Sequence, residues 1–411
     1  MHARFSLIRH TEKIMEKILA LAVVASAAAL AACDPPGEKP SPASLESVSA
    51  GVLASPSPAP TSSEPAPSSA APSDPSSAVP DVPAANPLVP PEQRRAAAAS
   101  LLMPAVVNYD DALAKLQAGV GGIFIVSWAD PGLLTQPGRD LHALREAVGR
   151  DFEVSIDFEG GRVQRFSEVL GSYPSAQQMA HGTPEQVEGT AFQIGQTLAA
   201  YGITLDFAPV LDVGGADLDV VGDRAYSTDP VRAGEYGAAF ARGLENAGVD
   251  AVFKHFPGHG RASGDTHLGA AVTPPLPEME AFDIVPWDGA LPGEPRADAM
   301  VGHMVVPGLG NGVTPSSLNP AAYELLRTRE HFGGRIFTDD LTGMAAITSR
   351  YTPEQAIVTA LASGADVALW STATDINFII DQVVGAVEVG IIPEQRFADA
   401  VAHSAAGLAP R

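Results

Sequence analysis

From about residue 92 onward the chain repeats one pattern, in which a short apolar run is followed by a stretch with helical periodicity and then by another apolar run. That alternation is the signature of βα units around a parallel sheet. Seven runs are expected as strands, at 122–127, 153–158, 203–208, 251–255, 299–303, 334–339 and 366–370, and an eighth lies within 101–107. Between them, 184–201, 230–247, 320–330, 352–363 and 376–389 carry helical periodicity, several with proline in the first turn. Seven or eight such units in roughly 320 residues fit a single α/β domain, a (β/α)8 TIM-like barrel, better than an open doubly wound sheet. The polar residues point the same way. Asp157 ends one run, Asp206 and Asp212 follow another, Lys254-His255 end a third, His303 a fourth and Asp339 a fifth. A barrel gathers polar groups from the tips of many strands on its C-terminal face, whereas an open sheet concentrates them at one crevice.

The segment AVFKHFPGHGRASGDTHLGA (251–270) is the densest in chemistry. Its apolar run ends in Lys254-His255, which places two polar groups at a strand tip, and Pro257, Gly258 and Gly260 then form a tight loop. Asp265 and His267 are spaced i, i+2. In an extended loop both side chains lie on one face, where the carboxylate orients the imidazole and raises its basicity, the arrangement of a proton shuttle. Three of the ten histidines, His255, His259 and His267, fall within the thirteen residues 255–267. Zinc is the competing explanation, but no His-Glu-x-x-His or similar ligand-rich motif accompanies them, so neither metal nor cofactor is expected.

The chain ahead of this region has a different character. Residues 34–91 are dominated by Pro, Ala and Ser and are expected to form a flexible tether, leaving 92–411 as the folded domain. Residues 1–33 begin with Arg4, Arg9, Lys13 and Lys17 and continue as a 15-residue apolar run to Ala32, short for a membrane span and typical of an export signal. Leu30-Ala31-Ala32-Cys33 resembles a bacterial lipobox, in which the cysteine thiol receives a diacylglycerol. The expectation is an exported protein anchored by lipid on Cys33 to the outer face of the bacterial cell membrane. The plainer alternative is an ordinary signal peptide with an incidental cysteine, and Met15 is an alternative start. Cys33 is the one cysteine in the chain, so stability comes from packing and not from intramolecular disulfides. A net charge of −23 argues against nucleic acid as a partner.

Four motifs together resemble glycoside hydrolase family 3, in its single-domain β-N-acetylhexosaminidase branch. They are IDFEGGRVQRF (156–166), LDFAPVLDV (205–213) with GDRAYSTDP (222–230), KHFPGHG (254–260) followed by Asp265-Thr266-His267, and FTDDL (337–341). The resemblance runs from about Leu101 to the C-terminus. It implies that Asp339, the first of the Asp-Asp pair, is the nucleophile. It further implies that His267 with Asp265, on a mobile loop, replaces the second-domain glutamate used as acid/base by two-domain relatives. The sugar-binding positions it implies are Asp157, Arg165, Arg224, Lys254 and His255. Phe158, where relatives often carry Gln or His, and Gly343, between Thr342 and Met344, depart from the pattern without touching a catalytic position.

Each position also has a plainer reading. Asp339 and Asp340 have the form of a helix N-cap pair, and Asp340 is read as such a cap. The arginines suit surface ion pairs, Asp157 suits pairing with Arg162 or Arg165, and Asp206 and Asp212 are read as scaffold. With the resemblance, the expected activity is exo-acting, retaining removal of terminal β-linked N-acetylglucosamine from cell-wall or chitin-derived glycans, the carbohydrate being the partner besides membrane lipid. A neutral imidazole does not repel an anionic acceptor as a carboxylate does, so phosphorolysis stays open beside hydrolysis. Also open are a broad β-glucosidase/hexosaminidase, participation of the 2-acetamido group as internal nucleophile, and, from another class, a glycan-binding lipoprotein without turnover.

Overall fold

A computed structural model of the chain describes residues 85–408, apart from 216, 217 and 295. The stretch read from sequence as an export signal with Cys33, and the one read as a tether up to residue 84, lie outside the described residues. Ten strands are present among those described: β1 Leu102–Val106, β2 Gly122–Ile125, β3 Glu153–Ile156, β4 Phe158–Gly160, β5 Val163–Gln164, β6 Leu205–Asp206, β7 Asp250–Phe256, β8 Asp298–Val301, β9 Ile336–Thr338 and β10 Ala368–Trp370. Eight of them form one sheet in the order β10-β1-β2-β3-β6-β7-β8-β9, every pairing parallel. A parallel bridge between Phe337 and Val367 brings β9 beside the start of β10 and rounds the sheet into a barrel. All eight expected strands are therefore found, as the staves of a TIM-like fold.

The crossovers are helices whose starts are written in the sequence. Pro184–Ala200 and Pro353–Ser363 open with capping boxes on Thr183 and Thr352, and Asp229 caps Pro230–Asn246, each with proline at the first helical position. Pro184–Ala200 and Pro230–Asn246 pack closely because small residues line their seam. A Cβ on Gly243 would lie 2.4 Å from the Glu188 carbonyl oxygen and 2.6 Å from the Ala191 side chain. Inside the barrel, Phe207 meets Phe124 and Phe337 edge to face at 5.5 and 5.6 Å, and all three are buried. These rings fill the interior, so the barrel is a packed core and not a channel.

The two ends of the barrel carry charge for different purposes. At the N-terminal end, Arg335 is buried and bonds Glu153 at 2.9 Å, Asp250 at 3.0 Å and Asp298 at 2.6 Å, tying the starts of β3, β7, β8 and β9 together. Burial of this arginine is tolerated because its donors meet carboxylates in paired geometry. At the C-terminal end the charges line a cavity.

Candidate active site

The hairpin β4–β5 shapes the first wall of that cavity. Gly160 and Gly161 adopt φ values of 88° and 58°, left-handed backbone that glycine enters without strain. A Cβ on Gly160 would also stand 2.2 Å from the Pro174 carbonyl oxygen. This tight turn folds Arg165 back on Asp157, with Arg165 N donating to the Asp157 carbonyl at 3.2 Å and the guanidinium reaching its carboxylate at 3.3 Å. Lys254, at the tip of β7 and almost wholly buried, bonds Asp157 Oδ1 at 2.9 Å and Glu159 Oε1 at 2.6 Å. Arg224 clasps Glu159 with Nε and Nη2, both at 2.7 Å. Burial opposes ionisation of Glu159, yet Arg224 and Lys254 outweigh it and hold the carboxyl at about 2. For Asp157 burial is likewise outweighed, by Lys254 and Arg165, and its pKa falls below the ordinary value.

The next wall comes from the segment after β6, which runs beside β7 through a Val210–Lys254 bridge. That alignment brings Asp212 to His255, whose Nδ1 donates to Asp212 Oδ2 at 2.6 Å, and the His259 amide donates to Asp212 Oδ1, also at 2.6 Å. Burial would raise the Asp212 pKa, but His255 and His259 pull it down to about 2. Asp212 thus orients a pocket histidine, which is more than the scaffold role read from sequence. Asp206 is scaffold in the plain sense: wholly buried, it accepts the Phe158 amide at 2.8 Å, and burial pushes its pKa well above the carboxylate range.

Asp339 stands at the tip of β9, 9% exposed, its amide tied to the Val301 carbonyl at 3.0 Å. Burial favours its neutral form, but His303, His255, the Asp340 amide and Lys254 together bring the pKa below the ordinary value, so the carboxylate is ionised. His303 is itself locked, with Nδ1 2.7 Å from Ser317 Oγ and Nε2 donating to the Asp340 carbonyl at 2.9 Å. Asp340 caps no helix. Its Oδ1 accepts the amides of Thr342, Gly343 and Ser371 at 2.9–3.0 Å and knots the loop after β9, because the chain turns there before Ala345–Thr348 begins.

The loop between β7 and β8 supplies the rim. His267 Nδ1 donates to Asp265 Oδ1 at 2.7 Å, and the same oxygen accepts the His267 amide at 2.9 Å. This fixes the ring's tautomer and leaves Nε2 for another partner. The His267 side chain is 53% exposed. The loop leans on the segment after Asp339 through Ala346 N to the Thr266 carbonyl at 3.0 Å and Ala345 N to the His267 carbonyl at 3.4 Å.

Asp157, Arg165, Arg224, Lys254, His255, His267 and Asp339 all line one cavity of about 290 Å³, with Asp265 behind His267. Every site residue expected within the barrel is therefore brought together, while Cys33 lies outside the described residues. Glu159, Asp212 and His259 also line the cavity but are absent from the expected set. Glu159 had a usable signal, since its i, i+2 spacing from Asp157 puts both on one face of an extended chain. Among the described residues no group of three or more His, Cys, Asp or Glu is arranged to hold a metal ion.

A barrel with this cavity has clear relatives. Residues 98–406 match the glycosyl hydrolase family 3 N-terminal domain. The chain belongs to glycosyl hydrolase family 3. Among its family 3 relatives, the beta-hexosaminidase LpqI of Mycobacterium tuberculosis is 41% identical over 308 residues, covering 73% of this chain and 78% of the relative. A beta-hexosaminidase of Xylella fastidiosa is 36% identical over 255 residues, 59% of this chain and 74% of the relative. The crystal structure of a family 3 glycosyl hydrolase from Mycobacterium smegmatis superposes with a TM-score of 0.73 at 42% identity, covering 77% of this chain and 97% of that one. As a family 3 member the protein is a glycoside hydrolase, which settles the choice between an enzyme and a glycan-binding lipoprotein without turnover.

Proposed function

We propose that this family 3 hydrolase is an exo-acting, retaining β-N-acetylglucosaminidase. The observation that carries the reading is that an ionised carboxylate, Asp339, and a carboxylate-oriented imidazole, His267, line the same small cavity. Glycosidic cleavage passes through an oxocarbenium-like state, which calls for an anion beneath the anomeric carbon and a proton for the departing oxygen. Asp339 attacks the anomeric carbon while His267 in its imidazolium form protonates the leaving sugar, breaking the glycosidic bond and leaving a glycosyl ester on Asp339. Neutral His267 then takes a proton from water, whose oxygen displaces the carboxylate with net retention. Asp157, Arg165, Lys254, His255 and Arg224 hold the sugar's hydroxyl and acetamido groups. The cavity's small volume suits one terminal sugar, in keeping with exo action, and relatives named beta-hexosaminidase support the preference for a 2-acetamido sugar.

The test compares hydrolysis of an aryl β-N-acetylglucosaminide with that of the matching aryl β-glucoside, with and without phosphate. The N-acetylglucosaminide is the faster substrate and free N-acetylglucosamine the product in both buffers. Equal or faster cleavage of the glucoside would favour the broad β-glucosidase, and a β-configured sugar phosphate would mark a phosphorylase.

The setting is also proposed. The domain boundaries 1–33, 34–91 and 92–411, with Cys33 acylated at the outer face of the cell membrane, place the barrel on a tether among cell-wall glycan fragments. The apolar run ending at Cys33 and the Pro-rich stretch after it support this. Radiolabelled palmitate should enter the full chain expressed in a bacterial host and be lost in Cys33→Ser; label retained in that variant would remove the anchor from Cys33.

A further inference from the structure

The inner part of the cavity is charged, and its mouth carries a side chain of another kind. Trp128, three residues beyond β2, borders the cavity and yet is 61% exposed. Tryptophan is among the more buried residues on average, and Trp287 and Trp370, the other two of the chain's three, are wholly buried. The outward stance of Trp128 is built into its turn. Val126 and Ala129 on either side of it are buried, the Ala129 amide donates to the Val126 carbonyl at 3.0 Å, and the Asp130 amide donates to the Val107 carbonyl at 2.7 Å. Asp130 Oδ1 then accepts the Gly132 amide at 2.8 Å. With the backbone pinned, the indole presents a large rigid face at little conformational cost.

The part of a substrate that meets this face follows from where the cavity opens. Glu159, Lys254, His255 and Asp339 are buried and form its inner part, whereas His267 and Trp128 are both exposed along its border. An exo-acting enzyme takes the terminal sugar inward, so the portion of the substrate left at the mouth is the one that departs. His267 delivers its proton to the oxygen on that same side. Trp128 therefore faces the leaving group and not the sugar held by Asp157, Lys254 and the arginines.

We infer that Trp128 is the platform of a separate leaving-group subsite, on which the pyranose ring beyond the scissile bond stacks, so that the substrate class is an oligosaccharide and not a glycoside of an acyclic alcohol. This deepens the reading under Proposed function and rests on it. The chemistry selects the group bound. A β-linked gluco-configured pyranose holds its substituents equatorial and turns axial C–H bonds outward from its two faces, and these slightly positive hydrogens suit the negative face of an indole. Stacking also removes apolar surface of both rings from water. An acyclic leaving group offers no such face.

The experiment uses the full chain with two substitutions, Trp128→Ala, which removes the platform, and Trp128→Phe, which keeps a smaller one. The quantity read is the ratio of kcat/KM on the β-1,4-linked disaccharide of N-acetylglucosamine to kcat/KM on methyl β-N-acetylglucosaminide. Both substrates need a proton on their leaving oxygen, and only the first has a second ring. The expected result is a fall in this ratio of about tenfold in Trp128→Ala, expressed mainly in KM, part of which Trp128→Phe restores. In the wild type, a saturating sulfur-linked analogue of the disaccharide shields tryptophan emission from acrylamide, a signal that reports Trp128 because Trp287 and Trp370 are buried. A ratio within about twofold of wild type in Trp128→Ala, whether neither substrate or both equally are affected, would overturn the inference, as would unaltered quenching at saturation, and either leaves the parent function standing. A wild-type enzyme inert on both glycosides would overturn the parent reading, and this one with it.

Discussion

Replacement of the Asp339 carboxylate by its amide, Asp339→Asn, lowers kcat on an aryl β-N-acetylglucosaminide by about 10³- to 10⁵-fold with little change in KM. The size of the effect follows from the site. Asp339 sits at the end of a buried strand, and burial alone would neutralise it, yet His303, His255, the Asp340 amide and Lys254 keep it charged. The amide has the same shape, and its oxygen can still accept the Asp340 N–H that Asp339 Oδ1 accepts at 2.8 Å. Geometry is retained and only the nucleophile is lost. A 2-fluoro glycosyl donor should leave a covalent mass increment on the peptide containing Asp339 in the wild type. Azide should restore turnover to the Asn variant by attacking the vacated face. A loss under about tenfold, or a label elsewhere, would assign the covalent step to another group, the 2-acetamido oxygen included.

The second large effect depends on the leaving group. His267→Ala slows cleavage of unactivated glycosides by about 10²- to 10⁴-fold, the span of general acid catalysis. Formation of the glycosyl-enzyme from a dinitrophenyl glycoside, whose leaving group departs without a proton, slows far less. The contrast isolates proton donation from sugar binding. Asp265→Asn has a smaller effect of the same kind, because the ring stays in place while its Nδ1–H loses the carboxylate that steadies the imidazolium. Rates of burst-phase glycosylation plotted against leaving-group acidity provide the measurement. A steeper dependence in His267→Ala than in wild type is the expected outcome, and an equal loss across all leaving groups would deny His267 the acid role.

What the sequence discloses and what it hides differ for physical reasons. Strands such as Ala368–Trp370 and Asp250–Phe256 are buried along their whole length, so their apolar runs stand out without help from the rest of the chain. The hairpin β4–β5 has arms of three and two residues, too short for any periodicity to register, although its turn glycines are visible. Helix Glu394–Gly407 escapes notice because Pro393 precedes it with no side-chain cap. At the site, Asp265 and His267 are legible as a pair because a single residue, Thr266, separates them. Asp212 and His255 are not, because they lie 43 positions apart and only the parallel run of the segment after β6 along β7 makes them neighbours. Glu159 is passed over because a glutamate beside two glycines resembles a solvated turn. Its burial depends on Lys254 and Arg224, which approach from distant strands and loops.

The hydrogen bonds from Ala345 and Ala346 to the carbonyls of His267 and Thr266 make the proton-donating loop and the stretch beyond the nucleophile a single mechanical part. An engineer who transplants the Asp265–His267 segment into another barrel, hoping to shift its working pH, must carry residues 341–346 along with it. Grafted alone, the imidazole would arrive with its tautomer set but without a backrest, and a change of one residue in either loop's length should retune both.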